Sequence, residues 1–162
     1  MLIIADSSPL IMLAFCNGLT LLDELFEEIK VPQSVYDEVV IEDKPMAKEL
    51  HRYLDGKVHQ VDLTTVIINA GGLGQGEIEA MVLYKQLEAD FLLIDDKRAR
   101  KVATLNHIEI TGSQGILLLA KKKGLISYVK PYLKKLHNSN IYISEQLILR
   151  TLQLANEVND NE

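Results

Sequence analysis

Two apolar runs in this chain end on carboxylates. Leu2-Ile3-Ile4-Ala5 runs into Asp6-Ser7-Ser8, and Phe91-Leu92-Leu93-Ile94 runs into Asp95-Asp96. A short continuous apolar run reads as a strand buried on both faces, as in a parallel sheet covered by helices. Ligands of such sheets bind outside the carboxyl ends of the strands. Both runs therefore deliver acids to the edge where chemistry takes place. Carboxylates gathered there raise one another's pKa unless a cation joins them. The pattern predicts a metal site built from acids alone.

Other residues fit that chemistry, each with a plainer reading beside it. The Ser7 and Ser8 hydroxyls can hold the Asp6 carboxylate or donate to a phosphate. Asp6 can instead cap a helix opening at Pro9, although Ser8 occupies the better N-cap position for that helix. Glu38 falls between the core positions Val35 and Val39 of a helix starting at Pro32, at the rim of its buried face. It points either at a cleft or at water. The turn Gly71-Gly72-Leu73-Gly74-Gln75-Gly76 feeds a helix whose first residues include Glu77 and Glu79. Backbone N–H groups there can meet an anion, while both glutamates gain from the helix dipole in any case. No Gly-Lys-Ser/Thr follows, so a nucleotide triphosphate loop is not expected. Of Asp95 and Asp96, one is expected to cap the Lys97 helix and the other to face the site.

The elements that must position these groups alternate. Strands are predicted at 2–5, 29–31, 58–61, 91–94 and 108–110. Helices are predicted at 9–16, 19–28, 32–41, 44–54, 77–87 and 97–105, with another from Ser113 to Lys123. This βα alternation argues for an α/β fold, a three-layer α/β/α sandwich around a mostly parallel sheet. Pro131 then sits in a basic helical stretch. Ser144 is an expected N-cap for a last amphipathic helix with Leu147, Ile148, Leu152 and Leu154 spaced to cover something. Residues 156–162 are polar enough to fray.

Composition narrows the class. With 162 residues, 48% of them hydrophobic, the chain buries a real core without needing two large domains. No apolar stretch reaches the roughly 20 residues of a membrane span. The start has neither a basic n-region nor a small-residue cleavage site, so a cytoplasmic protein is expected. Cys16 is the single cysteine, which excludes an internal disulfide and a thiolate cluster; it reads as a small core residue. His51, His59, His107 and His137 lack the spacing of a zinc site.

The net charge of −6 hides an asymmetry. Residues 1–96 carry 18 acids against 6 bases, whereas residues 97–135 carry 10 bases against the single acid Glu109. Acids for a cation beside bases for a phosphate backbone suit a metal-dependent phosphodiesterase. Solvated helix faces are the plainer reading of Lys97, Arg98, Arg100, Lys101 and Lys121 to Lys123.

Taken in order, the motifs carry a resemblance. Asp6-Ser7-Ser8-Pro9-Leu10, Pro32-x-x-Val35-Tyr36-x-Glu38-Val39, Gly74-x-Gly76-Glu77-x-Glu79-Ala80 and Leu93-Ile94-Asp95-Asp96-x-x-Ala99 resemble the PIN-domain nucleases. The likeness is to a prokaryotic branch related to the toxin ribonucleases of toxin–antitoxin pairs. Thr111-Gly112-Ser113-x-Gly115 and Lys123-Gly124-Leu125-Ile126 resemble the same branch. The resemblance implies a PIN-like nuclease domain over residues 1–126 and a helical extension over 127–162 packed on it. It implies an endoribonuclease dependent on Mg2+ or Mn2+, with Asp6, Glu38, Glu77 and Asp96 as the four family acids and Asp95 as a further metal ligand. Ser7, Ser8 and Ser113 would orient the scissile phosphate, and Lys97, Arg98, Arg100 and Lys101 would track the backbone of a single-stranded RNA. Two departures stand out: Glu77 where the toxins often have Asp, and Ile94 where they often have Thr.

A cognate antitoxin is the implied protein partner, and a homodimer is the commonest assembly of such domains. A PIN-like module that binds nucleic acid without cutting it is the alternative. A phosphoacceptor domain fits poorly, because Thr111 stands where its strand-end lysine would be.

Overall fold

The structure, a computed structural model, describes residues 1–64, 68, 71–139, 141 and 143–158. The sequence expectation for 159–162 lies outside them. The strands are β1 (Leu2–Ala5), β2 (Glu28–Pro32), β3 (Val58–His59), β4 (Phe91–Leu93) and β5 (Ile110–Thr111). They form one sheet in the order β3-β2-β1-β4-β5, and every pairing is parallel. Helices α1 (Ser7–Phe15), α2 (Leu19–Leu25), α3 (Gln33–Val39), α4 (Ala47–Tyr53), α5 (Gln75–Gln86), α6 (Lys97–Leu105), α7 (Ser113–Lys122), α8 (Lys130–His137) and α9 (Glu145–Leu154) surround it.

Alternation along the central strands separates two cores, as the period of a strand requires. Ile3, Ala5 and Leu93 join residues of α1, α2, α3, α4, α7 and α8 in one cluster. Ile4, Leu92 and Ile94 join Ala80, Met81 and Leu83 of α5 and Ala99 and Ala103 of α6 in the other. The result is a three-layer α/β/α sandwich. Cys16 lies in the first cluster, fully buried. Among the described residues, no single helix is long and apolar enough to cross a membrane.

Several boundaries move, each for a local reason. Ser7 is already helical, so Asp6, with extended φ −87° and ψ 167°, takes the N-cap position of α1. Ser8 and Pro9 fall inside the first turn. The strand expected at 108–110 slides to 110–111. The Ile108 amide instead donates back to the Ala103 carbonyl, and the Glu109 amide donates to the Tyr84 hydroxyl. Ser144 caps α9 as expected, accepting from the Leu147 amide at 3.2 Å.

The tail is held more firmly than its composition suggests. Val129, Leu133, Leu136 and Ala155 belong to the larger core cluster, and Ile148 and Leu152 pack against it. The expectation that 156–158 fray is overturned by Glu157, whose side chain is only 5% exposed. Its carboxylate accepts from the amides of Val129 (2.8 Å) and Lys130 (3.0 Å) and from Lys121 Nζ (3.0 Å). That clasp joins the end of α7 and the start of α8 to the chain beyond α9.

Candidate active site

In this sheet β2 and β3 lie on one side of β1, and β4 and β5 on the other. The order reverses between β1 and β4, which is where open parallel sheets form a crevice for ligands. The Asp6 amide donates to the Leu93 carbonyl at 2.9 Å, so the two strands are still joined as the chain leaves them. Asp6 and Asp95 therefore emerge at the mouth of the same crevice.

Asp6 is 3% exposed. It sits at an N-cap position, yet its carboxylate makes no cap hydrogen bond, and its Oδ1 is buried with no partner among the described residues. Burial pushes its pKa up to about 6; the Ser7 amide opposes this, and the charges of Glu77, Glu38 and Asp95 add to it. A buried carboxylate oxygen without a donor is costly. The cost disappears when a cation takes the open lone pair.

The cavity beside Asp6, about 410 Å³, gathers Ser7, Ser8, Ser34, Glu38, Gly76 and Glu77. Ser7 Oγ donates to Glu38 Oε2 at 3.0 Å, which turns Glu38 toward Asp6 rather than outward. Lys44 reaches the other Glu38 oxygen only at 3.9 Å, on the exposed side. Glu77 accepts from the Gly74 amide at 3.0 Å, so it also closes the start of its own helix. Glu79 instead accepts from Gln75 Nε2 at 3.4 Å.

Sequence reasoning missed Ser34 in this cavity and named Gly76 only as part of the turn and motif before Glu77. Ser34 Oγ, like Asp6 Oδ1, is buried without a partner among the described residues. Gly76 brings α5 close: a Cβ there would meet Val35 Cγ2 at 3.3 Å and Glu38 Oε2 at 3.7 Å. The only sequence signal for Ser34 was a hydroxyl four residues before Glu38.

Asp95 and Asp96 part company. Asp96 is exposed at the N-cap of α6, where its Oδ1 accepts from the Ala99 amide at 2.8 Å. Asp95 turns inward and contributes to the charge felt by Asp6. Its oxygens accept from the Ser113 amide (2.8 Å) and hydroxyl (2.7 Å). Burial raises its pKa, against the pull of those two bonds and of Arg100. Ser113, 2% exposed, thus holds an acid and does not face the cavity beside Asp6.

The cations differ as well. Arg98 donates to the Gly71 carbonyl at 2.7 Å and Arg100 to the Ile94 carbonyl at 2.9 Å, so both help to build the rim. Lys97 and Lys101 have no ion-pair partner among the described residues. A Cβ at Gly112 would lie 2.8 Å from both Arg100 Nη1 and Asp95 Oδ1, so the bare backbone there leaves room for the ends of those two side chains.

A doubly covered parallel sheet with four carboxylates near its switch point defines an α/β domain with an acidic crevice. The family model described as a PIN domain matches residues 2–157, and the chain belongs to the PIN-domain family. The matched segment ends on Glu157, so it includes the clasp and both C-terminal helices. PIN domains are generally nucleases and typically use divalent metals. The comparison with curated proteins gives no match.

The residues present fit such a metal. Among the described residues, no three His, Cys, Asp or Glu side chains close into a ready cage. A Mg2+ ion needs none, because it keeps several waters and binds through one or two carboxylates. Asp6 Oδ1 supplies the open acceptor, and Glu38, Glu77 and Asp95 supply the surrounding negative charge.

Proposed function

We propose that this protein is a metal-dependent endoribonuclease that hydrolyses RNA phosphodiester bonds at the crevice between β1 and β4. The observation that carries this is the buried, partnerless Asp6 Oδ1, ringed by Glu38, Glu77 and Asp95. Asp6 would hold Mg2+ or Mn2+ directly. Glu38, oriented by Ser7, and Asp95, oriented by Ser113, would hold its waters or share it. When bound, the ion supplies charge neutralisation at the phosphate and a more acidic attacking water. Ser8 and Ser34 line the cavity and can donate to a phosphate oxygen. Lys97 and Lys101 are free to meet the RNA backbone. The family resemblance extends this to a role as the toxin of a toxin–antitoxin pair, with a cognate antitoxin and a homodimer as the proposed assemblies.

The test is cleavage of mixed single-stranded RNA with Mn2+ and with EDTA, by the native chain and by two neighbouring variants. Asp95→Asn is expected to lose cleavage, while Asp96→Asn keeps it, because Asn caps a helix as well as Asp. Metal-dependent cleavage lost in Asp96→Asn but retained in Asp95→Asn would reverse the two roles. Folded protein that binds RNA without cutting it would favour the non-catalytic module.

Gly112→Ala offers a separate probe. Its methyl would displace the ends of two side chains, Asp95 and Arg100, and leave the backbone in place. Cleavage is expected to fall about tenfold or more, since a misplacement near 1 Å can cost about a hundredfold. The melting temperature should move by only a few degrees. Unchanged kinetics would mean that Asp95 placement does not matter.

A further inference from the structure

A groove of about 910 Å³ opens beside Asp95, bounded by α6, the turn from β5 into α7, and α9. Asp95 is the one carboxylate among its described lining residues. Cations stand on both walls: Lys97 and Arg100 on α6, and Arg150 on α9. No ion pair among the described residues engages Lys97 or Arg150. Arg150 is exposed and comes from the tail, outside the basic segment at 97–135.

We propose that this groove carries the single-stranded RNA to the acidic centre and that Arg150 contacts its phosphates, which rests on the nuclease reading above. Three features favour a polyanion. Asp95, whose charge is felt by Asp6, also lines the groove. Positive charge lies along both walls, and Asp95 is the one negative group among the described lining residues. A planar arginine fork suits a phosphate in particular. Phosphate contacts of this kind position a strand and carry no sequence information themselves. α9 is then one wall of the substrate path.

The experiment uses the full chain with Asp6→Asn, so that RNA is bound without being cut. Anisotropy of a labelled mixed-sequence oligoribonucleotide is followed through a salt series. Adding Arg150→Ala is expected to weaken binding about 3- to 10-fold and to reduce the slope of log K against log salt by about 0.7. Arg150→Lys should restore the slope, and Lys123→Ala, an equal charge loss outside the groove, should change neither quantity. Equal affinity and slope for the parent, Arg150→Ala and Arg150→Glu would overturn the proposal and leave the groove to a polypeptide.

Cleavage by the chain with native Asp6 reads the nuclease assignment separately. Cleavage with no effect of Arg150 on binding or rate overturns the groove alone. Binding that depends on Arg150, with no cleavage, overturns the nuclease assignment and supports the groove. No RNA binding at all overturns both.

Discussion

Asp6→Asn is expected to abolish RNA cleavage and, in EDTA, to make the protein more stable. The first effect follows from losing the one open oxygen aimed at the cation, a loss of at least about a thousandfold. The second follows from the burial that pushes the Asp6 pKa up to about 6 from an ordinary 3.8. A carboxyl raised in the folded state favours folding when protonated. Its contribution is intact below about pH 4, is lost as pH rises through 6, and stays lost above that. At pH 7 without metal the native chain carries the whole cost, about 1–3 kcal/mol, and the neutral amide removes it. The melting temperature of the variant should therefore exceed that of the native chain in EDTA at pH 7, with the gap closing toward pH 4. Mg2+ should raise the native chain and leave the variant unmoved. A variant less stable than the native chain in EDTA would mean that Asp6 has a stabilising partner in the metal-free protein.

Glu157→Ala is expected to cost about 2–3 kcal/mol of stability, a large share for a site near the end of the chain. Three donors lose one nearly buried acceptor, and hydrogen bonds to a charged group are worth about 1.5–3 kcal/mol in net terms. Burial alone would raise the Glu157 pKa, but the Lys130 and Val129 amides and the Lys121 ammonium outweigh it and hold the carboxyl below its ordinary 4.5. The sign is opposite to that of Asp6: this contribution is full above pH 4.5 and is lost as pH falls through the depressed value. Urea midpoints should thus fall on acidification in the native chain and fall less steeply in Glu157→Gln. A native-like midpoint for Glu157→Ala would show that the clasp carries no stability.

These two carboxylates differ in how far the sequence exposes them. Asp6 was legible because a short continuous apolar run ending on a carboxylate reads as an inner strand, and the residue that ends such a strand lies at the ligand edge of the sheet. Glu38 and Glu77 were legible through motifs whose order matched a family. Asp95 and Asp96 could not be ranked, since neighbours share every local signal; the choice depends on which carboxylate reaches the Ala99 amide and which reaches Ser113. Glu157 was misread because it lies in a polar tail, while its partners stand 27 to 36 residues earlier. Composition reports what surrounds a residue in the chain and is blind to a backbone that folds back to meet it. Ser34 was missed for a related reason: a single hydroxyl becomes informative only once its burial without a partner is seen.

Cys16 gives the fold a gauge of its own opening. It is fully buried in the larger core, donates to the Leu13 carbonyl, and has its thiol pKa pushed by burial up to about 11. The thiolate is the reactive form, so a thiol reagent at neutral pH meets almost none of it while that core stays closed. Labelling proceeds through molecules whose core has come apart, and its rate follows the population of that open state. Because the same cluster contains Ile3, Ala5, Leu93 and Ala155, one sulfur atom reports at once on the sheet beneath the acids and on the closure of the tail.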